Sequence, residues 1–210
     1  MRFSRFFAIA ALAALPSVAF AGAKAKAPDP LPTIVLTGIS QFDGVFGQAK
    51  DIQDKLKAET ESLAKARADV NTALEVATDS PFETALADLV KKAEKKIGVA
   101  MEGTMPKLSA SSAVPENVQK GIDAVNGLIG AADHAVSTAT GLKADATSLA
   151  SACAGFPAQV PSLVKNPMEV MSKGKVVGDD AKATTALPDR LGLLIDEAAK
   201  IVTDVQAAFK

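Results

Sequence analysis

Between Phe42 and Ala77 apolar residues return in the three-and-four rhythm of a helix: Phe42, Val45, Ala49, Ile52, Leu56, Leu63, Ala66, Val70, Ala73 and Ala77. Only Glu59 departs from it. A stripe of that length can be buried only if the segment is helical throughout and lies against other helices. Off the stripe, Asp51–Lys55 and Glu61–Lys65 are acid-before-base pairs at i,i+4, the order that supports a helix. Ser40 and Asp43 have capping-box spacing. The spacing predicts one helix from about Gln41 to Thr78, about 55 Å long.

Similar signals follow. Ser80-Pro81-Phe82-Glu83 reads as a second helix start, with Leu86, Leu89, Val90, Ala93 and Ile97 on its stripe and an end near Glu102-Gly103. The short connection predicts that this helix folds back antiparallel on the first. Met105 to Val114, rich in Ser, Ala and Pro, reads as a loop. A third helical stretch opens at Pro115-Glu116 and carries Val118, Ile122, Val125, Ile129, Ala132, Val136, Ala139, Leu142, Leu149 and Cys153 to a stop at Gly155 and Pro157. Gly121, Gly127, Gly130 and Gly141 each cost it up to about 1 kcal/mol unless they serve close helix approach or a kink. Asn166-Pro167 starts a short helix, Ser172–Ala186 reads as a loop, and Pro188–Phe209 as a final helix. Strand-type alternation is nearly absent. The expected fold is all-α: an elongated up-down bundle of about four main helices, two long and two shorter, with one short extra helix.

Ahead of the bundle, Met1–Ala21 has the three parts of a cleavable export signal. These are a basic start with Arg2 and Arg5, the apolar core Phe6–Leu15, and a small-x-small site at Ala19-Phe20-Ala21. The core is shorter than the roughly 20 residues of a membrane span. Gly22–Pro32 is small, charged and proline-rich and reads as a flexible tether, with Thr33–Leu36 a candidate short extended piece before the first helix, so the expected division is 22–38 as tether and 39–210 as one helical domain. The expected location is therefore the periplasm or the extracellular space, with no membrane-spanning segment.

The residue inventory narrows the chemistry. Once Arg2 and Arg5 leave with the signal, 21 basic groups face 24 acidic ones, a net charge of −3 that gives no general drive toward nucleic acid. His134 is the only histidine and Cys153 the only cysteine. On one helix they lie about 28 Å apart, so neither a Cys–His dyad nor a His/Cys metal site follows. His134 reads as a surface or bundle-edge residue. Glu59, alone among the apolar stripe positions, reads as a register-setting residue or one facing a gap. Cys153 is expected to be buried, with an intermolecular disulfide as the alternative. No catalytic residue, cofactor site or metal site is predicted, and no enzymatic activity.

Two features favour binding. Lys91, Lys92, Lys95 and Lys96 form a basic cluster that suits an anionic lipid surface or, more simply, offsets a helix C-terminus. Ala146–Val164 is uncharged, too polar and proline-broken to span a membrane, and is expected to form a packed turn at the bundle tip. Leu149, Cys153, Phe156 and Val160 are its candidate partner-binding residues. The expected function is non-enzymatic: binding of a protein partner, or self-association. The alternative is reversible binding to a lipid surface.

Overall fold

In the computed structural model, residues 30–77 and 80–209 are described. The export signal and residues 22–29 of the tether lie outside them. The elements in chain order are α1 (Ser40–Ala73), α2 (Phe82–Ala93), β1 (Ile97–Glu102), β2 (Met105–Ala110), α3 (Glu116–Cys153), α4 (Phe156–Leu163) and α5 (Pro167–Ala208). The chain is a helical bundle, as its stripes require, but the long members are three rather than two: α1, α3 and α5, of 34, 38 and 42 residues. No described helix is long and apolar enough to cross a membrane.

The cross-contacts give the helix directions. Glu59 meets His134, and Leu74 meets Gly121, so α1 and α3 run antiparallel. Cys153 lies against Ala181 and Lys143 against Gly192, so α3 and α5 are antiparallel too. Accordingly α1 and α5 run in the same direction, joined across their surface by Arg67–Glu197 at 2.8 Å. The core between them is built from the expected stripes, with Phe46 replacing Val45 as the buried residue of its turn.

Several expectations are corrected. Helix α1 stops at Ala73 rather than near Thr78, because Glu75 takes a left-handed φ of 59°. The Glu75 N–H then donates to Thr72 O and the Val76 N–H to Asn71 O, a paired closure that satisfies the last carbonyls. At the other end no capping box forms. Ile39 is the N-cap, and Asp43 is engaged by Thr37 instead. Nor does α2 fold back along α1: Lys92, at its far end, donates to Leu74 O at the end of α1. Helix α2 also ends early, at Ala93, followed by left-handed Glu94 and Lys95.

The segment expected as helix end and loop is an antiparallel hairpin in which Ile97 pairs with Ala110 and Glu102 with Met105. Its two-residue turn places Gly103 at φ +68°, which glycine adopts without a Cβ clash. The alternation is short but present: Ile97, Val99 and Met101 are spaced by Gly98 and Ala100, and Pro106 and Leu108 point inward. One edge of the hairpin is held by α3, where Asn126 accepts the Leu108 N–H at 2.9 Å and donates to Leu108 O at 3.0 Å.

Helix α5 absorbs three expected pieces. Asn166 caps it, accepting the Met168 N–H at 3.0 Å, in keeping with the Asn-Pro start signal. It then runs through Gly174, Gly178 and Pro188 without a loop. Burial of Val177, Ala181, Ala183, Leu187 and Leu191 along one face supplies what those poor helix formers withhold.

Candidate functional site

The end of the bundle where α1 starts, α3 finishes and α5 begins is closed by α4. Phe156, the first residue of α4, stacks on Phe42 with ring centroids 4.3 Å apart and meets Phe46 edge-on at 5.6 Å. Leu149, Cys153 and Val160 are buried around it. All four residues expected to contact a partner therefore face the core, because an uncharged run between two long helices has more apolar surface to satisfy within the fold than outside it. The Cys153 Sγ lies 3.4 Å from Ala150 O and 3.7 Å from Ala181 O, and burial pushes its thiol pKa up. The thiolate needed for disulfide exchange is disfavoured there.

What this end presents to solvent is different. Leu163 closes α4, and Met168 and Met171, one turn apart at the start of α5, are 78% and 77% exposed. Leu36, from the segment preceding α1, is exposed at the same end, where Gly38 lies near the Lys173 ammonium. Periodicity does not single out either methionine, because both fall off any core stripe. The signal that could have found them is two large apolar residues in the first two turns of a capped helix, with no stripe to bury them.

Residues 31–39, which the proline-rich composition assigns to the tether as far as 38, pack on the body instead. Ile34 is fully buried, and its N–H is accepted by Gln53 Oε1 at 2.9 Å. Gln53 Nε2 donates to Pro32 O at 2.8 Å, Asp180 Oδ1 accepts the Val35 N–H at 3.2 Å, and Asp43 Oδ1 accepts the Thr37 N–H at 2.7 Å. Asp180 is 1% exposed and its Oδ2 has no hydrogen-bond partner among the described residues. Burial pushes its carboxyl pKa up, opposed by the Val35 N–H and reinforced by Asp179 and Asp43.

Midway along the bundle the two odd residues of the sequence meet. His134 Nδ1 lies 2.9 Å from a carboxylate oxygen of Glu59, so the polar interruption in the α1 stripe sits beneath the only histidine. The hydrogen bond to Glu59 raises the His134 pKa, with the charges of Glu59 and Asp133 adding to it. Beside this pair an open groove of about 290 Å³ runs between α1 and α3, lined by Ser62, Lys65, Ala66, Asp69, Ala124, Gly127 and Ala131. Glu59 is the only hydrogen-bond partner of His134 among the described residues, so no hydroxyl nucleophile is aligned with it. A second hollow, about 370 Å³, lies between the hairpin and the end of α5, lined by Val99, Met101, Gln206 and Phe209.

The lysine cluster is half neutralised. Lys92 pairs with Asp88 at 2.8 Å and Lys96 with Glu94 at 3.6 Å, while Lys91 and Lys95 are exposed. Among the described residues no group of three or more His, Cys, Asp and Glu side chains is arranged to hold a metal ion. Comparison with protein-family models, with curated proteins and with solved structures finds no match to this chain.

Proposed function

We propose that this protein is an exported, non-enzymatic helical bundle that acts by binding a protein partner through its α4–α5 end. The single observation that carries the reading is the pair Met168 and Met171, both more than three-quarters exposed one turn apart on a capped helix start, with Leu163 and Leu36 at the same end. Methionine is unbranched and polarisable, and adapts to apolar partner surfaces of irregular shape. Phe156 serves this surface indirectly, since its stacking on Phe42 holds α4 in place. Export rests on the Met1–Ala21 signal.

The test is site-specific photo-crosslinking. A photoreactive residue at position 171 should give one discrete adduct in envelope extract, lost when Leu163→Ser and Met168→Ser are added, while the same residue at position 206 gives none. Equal adducts at both positions, or none at 171, would refute the reading. The lipid alternative draws on the same apolar end flanked by Lys165 and Lys173, more than on the half-paired Lys91–Lys96 cluster. Salt-sensitive co-flotation with phosphatidylglycerol vesicles, abolished by the double methionine variant, would replace the protein partner with a membrane surface.

A further inference from the structure

Residues 31–37 are held as a bound peptide is held. The hydrogen bonds that clasp this backbone to the helices come from side chains: Gln53, Asp43 and Asp180. The Gln53 amide takes the Pro32 carbonyl and the Ile34 N–H, groups flanking one residue, which is the pair a neighbouring strand would take. Ile34 supplies a fully buried anchor side chain. The segment thus behaves as a strap lying in a groove whose α1 and α5 walls are complementary to an extended backbone with one aliphatic anchor.

We propose that this strap exchanges between copies, the groove of one chain receiving residues 31–37 of a second copy to form a symmetric dimer. Three features make this the fitting occupant. The strap joins α1 through Gly38 at φ +71°, a hinge residue that can take either sign of φ at little cost. Exchange reuses every clasp, so the two arrangements differ mainly at that hinge. The outward residues Val35 and Leu36 are exposed in the single chain, and two straps crossing near their hinges would cover them against each other.

The experiment uses the whole purified chain in two arms. Gly38→Val places a β-branched residue where only a left-handed φ closes the strap in cis, so it should strengthen the dimer, read by sedimentation equilibrium, by about ten-fold in dissociation constant. Adding Ile34→Asp should return that variant to monomer. In the second arm, a fluorescent peptide of residues 30–39 should bind the Ile34→Asp chain, whose own strap is disabled, and bind it at least about ten-fold more weakly when Gln53→Ala is added. Ile34→Ser serves in both arms if Ile34→Asp loses its helical circular dichroism. The proposal is overturned if folded Gly38→Val stays monomeric, if a dimer survives loss of Ile34, or if the peptide does not bind. Met168→Ser/Met171→Ser should leave both arms unchanged, so failure here is distinct from failure of the partner-binding reading.

Discussion

Replacing Gly121 with alanine sets two effects of known size against each other. An alanine in the middle of a helix is favoured over glycine by about 0.8–1 kcal/mol. Against this, a Cβ at position 121 would lie 2.5 Å from Leu74 Cδ2 and 3.0 Å from Leu89 Cδ1, inside contact distance. Both leucines are buried, so neither can swing into solvent to make room. Forcing a methyl group into such a site costs about 1–3 kcal/mol. The packing penalty wins, and Gly121→Ala should lower stability by about 1 kcal/mol, or about 2–4 °C in Tm for a body of this size. A Cβ at Gly130 or Gly141, on the same helix, would meet no neighbour within 4 Å, so Gly130→Ala and Gly141→Ala should each stabilise by about 0.5–1 kcal/mol. Urea unfolding followed by far-UV circular dichroism separates the cases, provided the m-value is unchanged. If Gly121→Ala were as stabilising as the other two, the contact of α3 with Leu74 and Leu89 would not be a packing constraint, and the reasoning would fail.

Other outcomes follow from the titratable groups. Because Glu59 raises the folded-state pKa of His134, the pair stabilises fully below about pH 6.5 and loses that contribution as pH rises through the folded value. The urea midpoint of wild type minus Glu59→Gln should therefore shrink between about pH 5.5 and about pH 8.5, and a pH-independent difference would count against it. Asp180 has a raised carboxyl pKa, so its contribution is present below about pH 3.9 and lost as pH rises through the folded value. Asp180→Asn should accordingly stabilise at neutral pH and gain nothing near pH 4; destabilisation at neutral pH would show the carboxylate to be better satisfied than its geometry indicates. Cys153 should react with a thiol reagent only at the rate of unfolding, and immediate stoichiometric labelling of the native chain would contradict its burial.

The parts of this fold legible in the sequence are those where local pattern and burial coincide. The stripes of α1 and α3 are long enough that no other structure buries them, and Asn166-Pro167 marks the start of α5 by its cap. The hairpin escapes a reading by periodicity because three apolar residues per strand is too short a run for alternation to stand out, and Ile97 also fits the preceding helical stripe. Gly174, Gly178 and Pro188 read locally as loop, yet α5 continues through them because the long face it buries outweighs their propensities. At the candidate end, the uncharged run is legible as a packed turn around Phe156, but Leu149, Cys153, Phe156 and Val160 turn inward and the exposed surface falls to Leu163, Met168 and Met171.

Sequence alone determined that this chain is a bundle of long helices, because periodicity over ten turns has one way to be buried. Tertiary structure alone decided the pairings: Glu59 with His134, Gln53 and Asp180 with the strap, and Gly121 with Leu74. Each joins residues far apart in the chain, and no local preference encodes a partner that distant. Such contacts exist only once the helices have set which faces meet, and the strap, the methionine end and the buried carboxylate are all consequences of that choice.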